Sequence, residues 1–307
     1  MKCTKCGATA AISMPQHRLK LCAEHFCQWI PDMVERTIKK YGMFNRDERV
    51  LVAVSGGKDS LALWDVLIRL GYQTEGVYIH LGIGHEGYSD VSQQRAEAFA
   101  ARYEGLPLRI VNVSETYGAA IPDLARTGRG QRMCSACGLV KRHIMNRIAY
   151  EGGYAAIATG HNLDDEAAVL MQNTLRWQTG YLRRQAPVLP SVHPRLARKV
   201  KPLVHLYERE TAAYALLQEI EFVEQECPYS VDAKTIFYKE LLNRLERRSS
   251  GAKLAFYLRF LQAKKEEGMF VEEEPEEEYQ TCTRCGQPTM AVGLCSFCRL
   301  WERNPAP

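Results

Sequence analysis

Ser55-Gly56-Gly57-Lys58-Asp59-Ser60 gathers small residues, a cation and a carboxylate into one turn of chain, directly behind the apolar run 50–54. Residues without bulk let backbone N–H groups close on an anion, and a helix starting at that point adds its dipole. The run before the turn reads as a strand covered on both faces of a parallel sheet. Leu63, Leu67 and Leu70 mark the helix after it, with Gly71 placed to end it and Asp59 or Ser60 to cap its start. Two familiar phosphate sites are excluded. A Walker A loop needs glycine and Ser or Thr where this chain has Val52 and Asp59, and the turn itself has no G-x-G-x-x-G.

The second chemistry is metal ligation. Cys3-x-x-Cys6 with Cys22-x-x-His25, and Cys282-x-x-Cys285 with Cys295-x-x-Cys298, have the paired spacing of tetrahedral zinc. Two Zn2+ are expected. Cys27 is near enough to His25 to replace it, and spacing does not choose between imidazole and thiolate.

Cys134, Cys137 and Cys227 are left over. Three thiolates suit a [4Fe-4S] cluster with one iron open, while a redox disulfide between Cys134 and Cys137 is the competing reading. A helix expected over 139–150 places Cys134, Cys137 and Lys141 on one face if its first turn reaches back to Cys134. The carboxylates of Thr159-Gly160-His161-Asn162-Leu163-Asp164-Asp165-Glu166 follow another strand, where they can meet a nucleotide through Mg2+ or orient the attacking group. Asp165 is the functional candidate, and Asp164 serves equally as a helix N-cap.

Residues 176–201 differ in texture. Arg176, Arg183, Arg184, Arg195, Arg198, Lys199 and Lys201 occur there with Trp177, Tyr181 and no acidic residue. Basic charge grips phosphates and aromatic rings stack on unpaired bases, although a solvated loop has the same composition. Pro187, Pro190 and Pro194 argue against regular structure.

The elements that must position these groups alternate. Strands are expected at 75–81, 108–113 and 155–158, and helices at 33–41, 90–103, 207–220, 235–247 and 253–265. That order predicts an α/β fold, a doubly wound parallel sheet with zinc-finger modules at both ends. The expected divisions are 1–30 for the first module, 31–270 for the catalytic body and 271–307 for an acidic linker and the second module. With 307 residues, 46% apolar, the chain can bury a full core. Its net charge of +4 includes a run of six glutamates between Glu272 and Glu278, so the body is more basic than the total suggests. No run approaches membrane-spanning length and no apolar signal core opens the chain, so a cytoplasmic protein without a membrane partner is expected.

The SGGKDS string is similar to the SGGxDS signature of the PP-loop ATP pyrophosphatases. Together with MCSACG, TGHNLDDEA and the terminal knuckles, it resembles the TtcA/TtuA superfamily of tRNA 2-thiolation enzymes over nearly the whole chain. The zinc knuckles point to the TtuA branch and its wobble-uridine relatives. The resemblance implies that Ala53, Ser55, Gly56, Gly57, Lys58, Asp59, Ser60, His80, Gly160 and Asp165 hold ATP, and that Lys141, Asp165 and Asp59 are catalytic. It also implies that Cys134, Cys137 and Cys227 carry the cluster and that Arg183, Arg184, Arg198 and Lys199 meet tRNA. The implied partners are tRNA, a ubiquitin-like sulfur-carrier thiocarboxylate and a second copy of the chain. The implied target is a T-loop ribothymidine, with wobble uridine as the alternative. A PP-loop amidotransferase or ligase without iron, and an RNA-binding zinc module without chemistry, are the rival readings.

Overall fold

The computed structural model describes residues 1–84, 87–127, 133–230, 234–269 and 279–302. The glutamate run, residues 128–132 and residues 303–307 lie outside the described residues.

The chain opens with a hairpin of β1 (Ile12–Met14) and β2 (Leu19–Leu21), followed by α1 (Ala23–Lys40). Phe26, Ile30, Val34 and Ile38 recur at helical spacing on α1 and are buried, joining Met14 and Leu21 in the main core. The helix therefore starts inside the first cysteine group and runs through residue 30, where a module boundary was expected. The N-terminal module shares its core with the body.

The central sheet begins with β3 (Arg49–Val54), α2 (Lys58–Arg69), β4 (Gln73–His80), α3 (Tyr88–Ala100) and β5 (Leu108–Asn112). It continues through α4 (Val113–Tyr117), α5 (Ile121–Thr127), α6 (Met133–Glu151), β6 (Ala156–Thr159) and α7 (Leu163–Leu175). Then come α8 (Thr179–Arg184), β7 (Val188–Leu189), β8 (Lys199–Val200) and α9 (Glu208–Leu217). The strand order is β5-β4-β3-β6-β8-β7, parallel except for β7, which runs antiparallel to β8. Residues 176–201, expected to be irregular, thus supply a short helix, strand β8 and, beside it, the edge strand β7. Proline is tolerated there because an edge strand needs no amide hydrogen on its outer side.

Alternation in β3 divides the core. Val50, Val52 and Val54 face one layer with α1 and α2, while Leu51 faces the other with Val77, Ile157 and α6. Trp64 of α2 lies flat against Gly76, where a Cβ would come within 2.4 Å of its ring. Two further helices, α10 (Lys234–Arg248) and α11 (Ala252–Glu266), pack on α7. The chain ends in β9 (Gln280–Thr281), β10 (Pro288–Thr289) and α12 (Ser296–Glu302), and Phe297 of α12 stacks on His143 of α6 at 3.7 Å between ring centres. No helix among the described residues is long and apolar enough to cross a membrane.

Candidate active site

β3 ends at Val54 and α2 starts at Lys58, so Ser55, Gly56 and Gly57 make the whole turn at the C-terminal edge of the sheet. Gly56 has φ +74°, and a Cβ on it would lie 2.3 Å from the Ser92 carbonyl oxygen; both facts require glycine. Gly160, at the end of β6, passes so close that its Cβ would sit 2.8 Å from the Ser60 nitrogen. The Ser60 hydroxyl accepts from the Ser55 N–H at 3.1 Å and donates to the Gly57 carbonyl at 2.9 Å. The expected cap at Asp59 or Ser60 is corrected: Gly57 is the N-cap, no side chain caps it, and both residues lie in the first turn. The first N–H groups of α2 are thereby left to a ligand.

A cavity of about 380 Å³ opens in front of this turn, lined among others by Ala53, Ser55, Asp59, Ser60, Tyr88, Lys141, Gly160 and Asp165. Three residues expected to be catalytic therefore face one space. Lys58 lies at its border, 3.1 Å from Asp59 Oδ2 and 2.8 Å from Glu208 Oε1. Burial works against its ammonium, but Asp59 and Glu208 outweigh this and push the pKa up. Glu208 reaches Lys239 at 3.1 Å with its other oxygen, and Lys239 reaches Asp165 Oδ1 at 2.6 Å. Burial disfavours the Glu208 carboxylate, yet the lysines bring its pKa below the usual carboxylate range. Asp59 goes the other way: burial raises it against the pull of Lys58 and Thr211, and Asp165 adds to the rise. Of the two carboxylates on Lys58, Glu208 is the firmer partner.

The first turn of α7 fixes Asp165. Asn162 is the N-cap, accepting from the Asp165 N–H at 3.2 Å, and Asp165 Oδ2 accepts from the Asn162 N–H at 3.1 Å. Asn162 also donates through Nδ2 to Asp59 Oδ1 at 3.2 Å, and the Thr211 hydroxyl donates to the same oxygen. Asp164 is not the cap. It is buried, paired with Lys253, and accepts from the Glu208 N–H at 2.9 Å. His80, expected at the nucleotide, points Nε2 at Asp90 at 3.1 Å and does not line the cavity.

α6 does begin early enough to carry Cys134, Cys137 and Lys141 on one face. Burial raises the Cys137 thiol, the Lys141 ammonium opposes it, and the thiolate charges of Cys227 and Cys134 add to the rise, which places all four groups in one electrostatic neighbourhood. Cys134 is exposed, and its Sγ donates to the Tyr229 carbonyl at 3.3 Å. The segment before Cys227 is tied to the phosphate turn by the Val223 N–H, which donates to the Gly56 carbonyl at 2.9 Å. Tyr88 stands in the cavity wall and also feels the charges of Cys227 and Cys137, so these two thiols lie within electrostatic reach of the cavity without lining it.

The terminal groups are tighter. Cys3, Cys6, Cys22 and His25 bring one ligand atom each within 4.8 Å of one another, as do Cys282, Cys285, Cys295 and Cys298. Cys27 is turned into the core, where burial raises its thiol and Gln218 hydrogen-bonds to it. Burial also raises Cys282, but N–H donors of Cys295, Cys285 and Arg284 bring it down to about 6, which favours the ligating thiolate. Both quartets fit a tetrahedral ion.

The four residues expected to meet tRNA separate. Arg183 and Arg184 end α8, next to Trp177 and Tyr181, whose rings are 67% and 66% exposed. Arg198 instead donates to the carbonyls of Gly42, at 3.2 Å, and Met43. Lys199 is half-buried in β8, where burial and Arg142 lower its pKa. Sequence reasoning missed Glu208, Lys239 and Thr211, which come from α9 and α10 and have no motif around them.

Residues 31–234 match the PP-loop domain family, and residues 2–27 match the N-terminal LIM domain of 2-thiouridine synthetase TtuA. Fold and site are those of a PP-loop protein. Over 302 residues the chain is 49% identical to the tRNA-5-methyluridine(54) 2-sulfurtransferase of Thermus thermophilus, covering 98% of this chain and 91% of that one. Identity to the Pyrococcus horikoshii enzyme of the same name is 43%, covering 98% and 94%. To the cytoplasmic tRNA 2-thiolation protein 1 of Drosophila melanogaster it is 33%, covering 97% and 86%. The solved U34-tRNA thiolase NcsA from Methanococcus maripaludis, with its [4Fe-4S] cluster, shares the fold at a TM-score of 0.78 and 24% identity, covering 99% of this chain and 96% of that one. The chain belongs to the TtcA/TtuA superfamily of tRNA 2-thiolation enzymes, on the TtuA side of it.

Proposed function

We propose that the protein is an ATP-dependent tRNA 2-sulfurtransferase acting on the T-loop 5-methyluridine. The observation that carries this is the single cavity in which the phosphate turn, Asp59, Lys141 and Asp165 meet, with the thiols of Cys137 and Cys227 within electrostatic reach of it. A pyrimidine C2 oxygen is a poor leaving group. Its attack on the α-phosphate of ATP forms an O–P bond and expels pyrophosphate, after which sulfide adds at C2 and AMP departs.

The open N–H groups of α2, with Ser55, Gly57 and Lys58, hold the departing pyrophosphate. Asp59 and Asp165 are the residues that would hold a Mg2+, which would supply charge neutralisation at the phosphates, and both carboxylates are held ready by Asn162. Lys141 is free of hydrogen bonds and ion pairs among the described residues, so its ammonium can neutralise charge on the α-phosphate or on the oxygen at C2. Cys134, Cys137 and Cys227 do not converge as closely as the two terminal quartets, and they are the residues that would hold a [4Fe-4S] cluster, one thiolate to each of three irons. When bound, a [4Fe-4S] cluster supplies an open iron that keeps sulfide out of bulk water. The quartets hold Zn2+ and serve the fold. Arg183, Arg184, Trp177 and Tyr181 meet tRNA, whereas Arg198 and Lys199 support the body around them. The sulfur comes from a ubiquitin-like carrier thiocarboxylate, and the working form is a homodimer.

The T-loop target rests on relatives named for 5-methyluridine 54 at 43–49% identity, against 30–33% for those named cytoplasmic tRNA 2-thiolation proteins. Nucleoside mass spectrometry of tRNA from cells lacking the gene tests it. Loss of 5-methyl-2-thiouridine with wobble thiouridines intact is the expected result, and the reverse pattern moves the target to the anticodon.

A further inference from the structure

Lys239 belongs to no motif, yet its ammonium touches both Asp165, at 2.6 Å, and Glu208, at 3.1 Å. Glu208 passes the connection to Lys58 at 2.8 Å, Lys58 to Asp59 at 3.1 Å, and Asn162 closes it from Asp59 back to Asp165. The six residues form a closed ring at the border of the nucleotide cavity. Four elements contribute: α2, the start of α7, the start of α9, and α10.

Within that ring Asp165 has no spare freedom. One oxygen is taken by the Asn162 N–H and the other by Lys239. Asp59 and Glu208 are the next carboxylates in the ring, beyond Asn162 and Lys239, and Asp59 and Asp165 repel each other; without Lys239 three carboxylates would share one lysine. Lys239 itself does not line the cavity, so it acts through its neighbour rather than on ATP.

We infer that Lys239 is a positioning residue of the adenylation step, which holds the Asp165 carboxylate in its working orientation and ties α10 to the phosphate turn through Glu208. The inference rests on the role proposed above for Asp165. Its consequence is a split in kinetic effect. The phosphate turn keeps its own N–H groups and Lys58, so ATP binding survives while the chemical step slows.

Steady-state thiolation of tRNA by the cluster-loaded enzyme at varied ATP tests this, with iron content and thermal midpoint read for each variant. Lys239→Met is expected to lower kcat by ~30–100-fold with KM for ATP changed less than ~3-fold, and Lys239→Arg to recover most of the rate because the bridging charge returns. In an Asp165→Asn background, Lys239→Met should have no further effect, since the residue it positions is gone. A fully active Lys239→Met, an Arg variant as slow as the Met variant, or an undiminished loss in the Asp165→Asn background overturns the inference alone. A fully active Asp165→Asn overturns the proposed site, and the inference with it. Should Lys239→Met fail to fold, the comparison of Lys239→Gln with Lys239→Arg carries the same test.

Discussion

The terminal quartets and the central trio use the same side chain for different ends. Each quartet closes on itself: its ligands come in pairs three residues apart, its donor atoms converge within 4.8 Å, and backbone N–H groups point at its sulfurs, as from Cys295 to Cys282 Sγ at 3.3 Å and from Cys298 to Cys295 Sγ at 3.4 Å. The trio does not close. Cys134 and Cys137 share a helix turn, Cys227 arrives from a distant loop, Cys134 is exposed, and Cys137 and Cys227 lie within electrostatic reach of a cavity. A closed site keeps its metal for folding and an open one leaves a position for chemistry. Burial follows the same division: Cys282, Cys295 and Cys298 are buried members of the apolar core that includes α6, whereas Cys137 and Cys227 are only partly buried against it and Cys134 is exposed.

The sharpest way to break this contrast is to remove one thiol from each kind of site. Cys227→Ala should abolish iron and acid-labile sulfide and lower tRNA thiolation by at least ~10³-fold, because the cluster proposed above would act as a unit with the other catalytic groups. Zinc content should stay at two per chain. Cys295→Ser should instead halve the zinc and lower stability by ~3 kcal/mol, a drop of ~6–12 °C in thermal midpoint, with thiolation at low temperature kept within ~10-fold. Elemental analysis, calorimetry and thiolation assays on the same preparations separate the two. An active Cys227→Ala, or an iron-free Cys295→Ser, removes the distinction.

The two kinds of site also differed in how far they could be read from the chain. The quartets were legible because their spacing is local and zinc asks for little more than spacing. Only the choice between His25 and Cys27 needed coordinates, since it depends on which way a residue faces once α1 starts at Ala23. The phosphate turn was equally legible, because a glycine pair between a strand and a helix allows few conformations. What stayed hidden was long-range. Glu208 and Lys239 reach the site through the packing of α9 and α10, an arrangement that no periodicity in either helix announces. Arg198 misled in the opposite direction: its composition suggested an RNA contact, and the fold uses it to hold the carbonyls of Gly42 and Met43. The short strands β7 and β8 escaped notice because prolines bracket them, and an edge strand of two residues carries no alternation.

The smallest effect expected concerns pH and belongs to the closed side of the comparison. His143 is stacked on Phe297 and half-buried between α6 and α12; burial, with Arg147 nearby, lowers its pKa from 6.5 to about 4. The folded chain therefore binds this proton more weakly than the unfolded chain. Stability from the buried neutral ring is complete above pH 6.5, declines as pH falls below that value, and is lost by about pH 4, for a maximum of ~3 kcal/mol. Protonation of the thiolates that would hold the Zn2+ proposed above falls in the same interval, so with zinc bound the slope in the parent protein mixes two causes. His143→Leu keeps the apolar contact with Phe297 and deletes the titration. Calorimetry between pH 7.5 and pH 5 should give a shallower loss of thermal midpoint for this variant than for the parent, with iron content unchanged in both. Equal slopes would assign the whole acid sensitivity to the zinc ligands, and His143 would then be no more than a flat surface against which α12 packs.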